Sequence, residues 1–166
     1  LSINAPTLSQ ALSDFQRYLP IILQGFTVDI SSTPEDHCLL CFSLIKPHSE
    51  AAPQINEQGL GWLTNIIRTV LRRRRWRPLQ LQLNHEQPAH KALLVRNFGG
   101  NVHFNCPVNA LVVNRADLHQ PNTLADPRLY RLLRHQAEQA LSGAPMALKG
   151  MEWIEFNLQQ LILAGT

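Results

Sequence analysis

Two thiols at a metal-site spacing, a scatter of imidazoles and a run of guanidinium groups are where chemistry could reside in this chain. Cys38 and Cys41 stand three apart in His37-Cys38-Leu39-Leu40-Cys41, the CxxC spacing of zinc sites and redox pairs. The segment alternates like a strand, however, and residues three apart on a strand face opposite sides of a sheet, so the two sulfurs do not converge on one ion. No metal ligand is therefore assigned, and Cys106, just ahead of Pro107, reads as a structural thiol in a turn. His85-Glu86 with His90 is the nearest the seven histidines come to a cluster. No HExxH, nucleophile elbow or Gly-rich phosphate loop is present. His85, His90, His103 and His119 fall near loops or strand exteriors, where a solvated imidazole is the expectation, and the few carboxylates show no paired arrangement. The expectation is a domain without catalytic residues or cofactor, hence not an enzyme.

The positive excess, a net charge of +3 with a pI near 9.0, sits largely in Arg72 to Arg75 and Arg77. Following Ile66-Ile67-x-x-Val70-Leu71, these groups would lie at a helix C-terminus beside the negative end of its dipole, each contributing a few tenths, roughly 0.3 kcal/mol. The other reading is contact with DNA phosphates or a partner domain. No helix-turn-helix pattern accompanies the run, so sequence-specific reading is not expected of it. For small-molecule contact the candidates are Tyr18, Trp62, Asn65, Phe104 and Asn109, since a ligand pocket is mostly apolar with a few oriented polar groups. Each has a plainer role to weigh against that one. Tyr18, Trp62 and Phe104 suit ordinary core packing, Asn109 suits a turn in which its amide bonds backbone, and Asn65 suits an exposed helix position.

The elements that must position these residues follow from apolar periodicity. Thr7 and Gln10 form a capping box ahead of a helix carrying Leu8, Ala11, Leu12, Phe15, Tyr18 and Leu19, which Pro20 is expected to end. Phe26, Val28 and Ile30 alternate as a strand, Ser31 to Asp36 make a turn, and His37 to Ile45 is a partner strand apolar on both faces. After a loop over 46–53, Leu60, Leu63, Ile66, Ile67, Val70 and Leu71 mark a long helix with Asn56 as its expected N-cap. Leu79, Leu81 and Leu83 alternate with glutamines as a further strand, and Pro88 is expected to open a helix through Phe98.

The stretch from Phe98 to Pro127 is the most distinctive. Gly99 and Gly100 stop a helix where positive φ is cheap. Val102 to Phe104 begins a strand, Cys106-Pro107-Val108-Asn109 reads as a hairpin turn, and Ala110 to Asn114 as the return strand. Asp126-Pro127 then gives an N-cap and first-turn proline for a helix with Leu129, Leu132, Leu133, Ala137, Ala140 and Leu141 on one side and Arg128, Arg131 and Arg134 outside. Past the break at Gly143-Ala144-Pro145, Met151, Ile154, Leu158, Leu161 and Ile162 repeat at helical spacing, and this stripe needs a cover from the domain itself or from a second subunit. The order predicts an α+β single domain, an antiparallel or mixed sheet with helices packed on it.

Length and composition agree with that class. At 166 residues and 45% apolar content the chain suits one globular domain, and no apolar run approaches the ~20 residues of a membrane span. Three cysteines argue for a reducing compartment, hence the cytoplasm. Beginning as it does with Leu1, the sequence is expected to be a fragment or a processed form.

The segment from Phe98 to Pro127, with Leu79-Gln80-Leu81-Gln82-Leu83 before it and Leu129-Tyr130-Arg131-Leu132-Leu133 after, resembles the N-terminal, arabinose-binding-like effector domain of AraC-type transcription regulators. Thr7-Leu8-Ser9-Gln10-Ala11-Leu12 and Arg17-Tyr18-Leu19 extend the similarity, which runs from about residue 7 to 141. The resemblance implies a regulatory domain over 1–145 that senses a small organic effector or holds a homodimer. It also implies a connector over 146–166, with Met151, Ile154, Leu158 and Leu161 at an interface, leading to a DNA-binding region that would begin where these residues stop. DNA would then be met only through that region. The alternative is a domain that only dimerises or binds a protein partner. Sugar sites usually stack aromatics and use several carboxylates or amides; with 7% aromatics and few acidic groups outside loops, a more apolar organic molecule is expected rather than arabinose.

Overall fold

The computed structural model describes residues 1–33, 35–45 and 51–143. Thr7 opens the first helix as expected, its hydroxyl accepting the Gln10 N–H at 3.2 Å, and α1 runs Leu8–Ile22. The reciprocal half of the capping box does not form, because Gln10 instead donates from Nε2 to Asp14 Oδ1 at 3.0 Å. Pro20 does not end the helix: it sits in the last turn and forfeits only the bond to the carbonyl of Gln16, on the exposed side. Asn122 ties down the chain start, donating from Nδ2 to the carbonyls of Ile3 and Ala5.

Two antiparallel strands follow, β1 (Phe26–Ser32) and β2 (His37–Leu44), in register from Phe26 opposite Leu44 to Ser32 opposite Cys38. Along β2, buried Cys38, Leu40 and Phe42 alternate with the half-covered Leu39 and Cys41, so the two thiols of the CxxC spacing do lie on opposite faces. Burial, with Asp29 nearby, pushes the Cys41 thiol up from its ordinary range. Across the covered face lies α2 (Ala52–Val70). It approaches closely because Gly59 has no side chain; a Cβ there would strike the Phe42 ring. Asn56 is not the N-cap. Pro53 near the helix start suits the first turn, the helix begins at Ala52, and Asn56 is buried one turn in.

The remaining elements are β3 (Gln80–Gln82), α3 (Lys91–Phe98), β4 (Val102–His103), β5 (Ala110–Asn114), a short α4 (Arg115–Leu118) that periodicity did not announce, and α5 (Pro127–Gly143). Pro88 only turns the chain into α3, its carbonyl accepting the Lys91 N–H, and Gly99 closes that helix at φ 108. The sheet order is β1-β2-β5-β3-β4, antiparallel except for the β3–β4 pair, which is parallel. The sheet is therefore mixed, in an α+β arrangement.

This order corrects the expected hairpin between Val102 to Phe104 and Ala110 to Asn114. Those strands are not neighbours, because β3 lies between them. After His103 the chain leaves the strand through Asn105 at φ 55. Asn105 and Cys106 then donate to the carbonyls of His85 and Leu83, wrapping the chain around the end of β3 so that Ala110 arrives on its other edge. Asn109 completes the wrap: it is buried, and its Oδ1 accepts the Asn84 N–H at 2.9 Å.

Asp126 caps α5 as expected, accepting from the N–H groups of Arg128 and Leu129 at 2.8 and 3.1 Å. The face it buries differs from the expected one. Tyr130 turns inward and donates to Asp14 at 2.7 Å, which leaves Leu129 and Leu132 exposed. Tyr18 and Arg17 on α1 both reach Glu138, the latter pair at 2.9 Å, and Arg17, ahead of Tyr18, holds the Glu138 carboxyl below its ordinary range. The connector stripe, including Met151, Ile154, Leu158 and Leu161, lies outside the described residues. The core between helices and sheet is built from Leu8, Leu12, Leu40, Phe42, Leu60 and Leu111, with Trp76 and Phe98 at its margin.

Candidate functional site

On α2, Leu60, Leu63, Ile67 and Val70 face the core. Beside that face runs a second stripe of Glu57, Gly61, Asn65 and Arg68, spaced by four, four and three residues, so it turns to one side of the helix. That side looks toward α3. Gly61 has no heavy atom within 4 Å of where a Cβ would stand, so the middle of the stripe is empty of side chain. The result is an open recess of about 470 Å³ between α2 and α3, within the range of small-molecule sites of roughly 300–1,000 Å³.

Its apolar wall is Trp62, 39% exposed, with Leu93, 56% exposed, across from it on α3. At one end Arg68 donates from Nε to the Trp76 carbonyl at 2.9 Å and from a terminal nitrogen to the Asn97 carbonyl, joining the C-terminal ends of both helices. No described carboxylate pairs with it. Burial first, and the charge of Arg77 second, lower the Arg68 guanidinium from its ordinary value. Asn65 and Asn97 stand nearby with exposed amides.

The opposite end holds a charge cluster that sequence spacing did not reveal. Glu57 Oε2 lies 2.8 Å from His90 Nε2, and Oε1 lies 3.2 Å from His85 Nε2. The second pair is a close polar contact and not an aligned hydrogen bond. His85 turns its Nδ1 to the Glu86 carbonyl at 2.8 Å and its ring toward Phe104. His85 is thus not the solvated residue expected: its side chain is only 13% exposed. The signal that could have found the cluster is the acid in the stripe on α2, but it lies 28 residues from His85 and 33 from His90, and only the fold brings the three together. Among the described residues no group of this kind is arranged to hold a metal ion.

Of the sequence candidates, Trp62 and Asn65 line this recess, and Phe104 lies behind it, against His85 and under the Lys91 ammonium. Tyr18 and Asn109 are elsewhere, engaged by Glu138 and by the Asn84 backbone. A second, slightly smaller recess of about 400 Å³ lies on the open face of the sheet, lined by His37, Leu39, Gln80, Gln82 and Asn101 among others. The α2–α3 recess is the one that pairs an apolar wall with a cation that no described carboxylate meets, the mix of surfaces common to small-molecule sites.

Residues 1–122 match the model of a family described as the arabinose-binding domain of AraC transcription regulators, N-terminal. That stretch contains the whole sheet and both helices of the recess. No curated protein matches the sequence. Among solved structures, that of the transcriptional regulator CdpR from Pseudomonas aeruginosa shares the fold with a TM-score of 0.59 at 14% identity, over 78% of this chain and 42% of that one. Among the described residues no helix is long and apolar enough to cross a membrane.

Proposed function

The chain belongs to the family of N-terminal arabinose-binding domains of AraC transcription regulators, and from that premise we propose that it is a regulatory domain that senses a small organic effector in the α2–α3 recess. The observation that carries this reading is the apolar wall of Trp62 and Leu93 ending at Arg68, a guanidinium without a carboxylate partner among the described residues. The effector class this suits is a compact apolar body bearing an anionic group, seated against Trp62 with Asn65 at its side. A sugar would stack on Trp62 but offers no anionic group to Arg68. Sensing needs only different affinities for two arrangements of a larger molecule, so no catalytic group is required. The other arrangement would be felt by a DNA-binding region attached through residues 146–166, in a cytoplasmic protein whose three cysteines are free.

The test is thermal unfolding in the presence of aromatic and medium-chain carboxylates, their amides, and L-arabinose. Stabilisation by one or more carboxylates, absent in the amides and the sugar, supports the reading. Stabilisation by arabinose alone would overturn the effector class.

A second reading, assembly without a ligand, is favoured by one observation: Leu124, Leu129 and Leu132 stand exposed at and beside α5. Sedimentation distinguishes it. A tight dimer that Leu129→Glu with Leu132→Glu converts to monomer, together with no stabilisation by any compound, would favour assembly over sensing.

A further inference from the structure

Six of the chain's 15 basic residues fall between Arg68 and Arg77, a window of ten positions without an acidic residue. Arg68 lies in the last turn of α2 and the rest of the run follows directly at the helix end, where the sequence places it. α2 ends at Val70, and Arg72, at φ 54, turns the chain away from the helix axis. The loop beyond is fixed at each step: Arg72 N–H to Thr69, Arg73 N–H to Arg68 and Trp76 N–H to Arg73, at 3.2, 3.1 and 2.8 Å. Trp76 anchors it, its ring 8% exposed and its indole N–H on Asp117. Arg73 shares that carboxyl at 3.3 Å.

The side chains of Arg72, Arg74, Arg75 and Arg77 are exposed and have no hydrogen-bond or ion-pair partner among the described residues. Such crowding of like charge on an ordered loop is unfavourable unless something anionic relieves it. We infer that this loop is a contact for the phosphate backbone of double-stranded DNA, made by the regulatory domain itself and independent of base sequence.

The chemistry favours a duplex over an acidic protein face. Protein interfaces are anchored by Trp, Tyr and Arg side chains in desolvated pockets, and here the one aromatic of the loop, Trp76, is turned into the core while the arginines stand in solvent. Phosphate contacts need only displayed guanidinium groups, and they position a protein without reading sequence. Membership of a family of transcription regulators places a duplex within reach.

The experiment uses the 166-residue chain and a fluorescently labelled duplex of arbitrary sequence, with affinity followed by anisotropy from low to moderate salt. Four phosphate contacts give a slope of log K against log salt of about −3.6, at about 0.9 per contact. The variant Arg72→Gln, Arg74→Gln, Arg75→Gln, Arg77→Gln is expected to lose at least tenfold in affinity at low salt (an order-of-magnitude figure) and most of the slope, while melting like the parent. A scrambled duplex should bind equally. The inference is overturned if the parent does not bind, if the fourfold variant binds as well as the parent, or if Arg128→Gln with Arg131→Gln on α5 loses as much, since binding would then be diffuse. Competition by polyglutamate as effective, charge for charge, as by unlabelled duplex would also overturn it in favour of an acidic protein.

Discussion

Trp76 donates its indole N–H to Asp117 Oδ2 at 2.9 Å across a sequence separation of 41 residues, pinning the loop after α2 to the short helix after β5. The same carboxyl receives Arg73 and the Gln120 amide at 3.3 and 3.0 Å. Asp117→Ala leaves the buried indole without a partner and is expected to cost about 1–3 kcal/mol in urea unfolding. Asp117→Asn keeps an acceptor for the indole and loses only the charge facing the exposed Arg73, so it should cost less than about 1 kcal/mol. Equal costs would contradict the assignment of the anchor to the indole.

Tyr130 and Asp14 join α5 to α1 in the buried interior, and burial, then the bond to Asp14, pushes the Tyr130 phenol up to about 12. A phenol raised on folding contributes stability that is whole below its unfolded value of about 10 and is lost as pH climbs through the folded value. The melting temperature should therefore fall between about pH 10 and 12, and Tyr130→Phe should both lower it at neutral pH and flatten that decline. A variant with the parent's alkaline profile would show that the phenol is not the group responsible.

Gly59 and Gly61 sit two positions apart on α2 yet should respond oppositely. Gly59→Ala drives a methyl into the Phe42 ring and is expected to destabilise by about 1–3 kcal/mol. Gly61→Ala meets open space and gains helix propensity, up to about 1 kcal/mol. Denaturant midpoints of the two single variants are sufficient to check the pair of signs.

What could be read from residues alone was whatever local chemistry decides. The Thr7 and Asp126 caps, the stop at Gly99 and the β1–β2 pairing rest on neighbours in sequence, and they stand in the fold. The failures share a cause. The expected hairpin at 102–114 broke because β3, some twenty residues upstream, competes for the edge of β5, and a two-residue β4 cannot contest it. Asn109 was legible as a backbone staple, but not that its partner is Asn84. Tyr130 took the inward position expected for leucines because Asp14, on a distant helix, offers it a buried acceptor. In the candidate site, Trp62 and Asn65 were visible as amphipathic residues beside an apolar stripe. The cluster of Glu57 with His85 and His90 was not, since its members belong to separate segments and only the packing of α3 against α2 unites them.

That cluster should be structural for the recess. Glu57→Gln removes the charge shared by both imidazoles and is expected to cost about 1–3 kcal/mol, more than a surface pair would. His90→Ala, with the imidazole it removes 35% exposed against 13% for that of His85, should cost less than His85→Ala. Thermal unfolding of the three variants gives the ranking, and the reverse order would place the weight of the contact on His90.

The most direct test of the sensing role is to close the recess without unfolding the domain. Gly61→Leu fills the empty centre of the stripe, where a Cβ meets no heavy atom within 4 Å, and should leave stability near the parent's. With a stabilising carboxylate found for the parent, present at about 100 times its dissociation constant and worth about 2.7 kcal/mol, the parent's melting temperature should rise by at least about 5 °C and that of Gly61→Leu should not move. An equal rise in both proteins, or no rise in the parent with any of the compounds, would contradict the account.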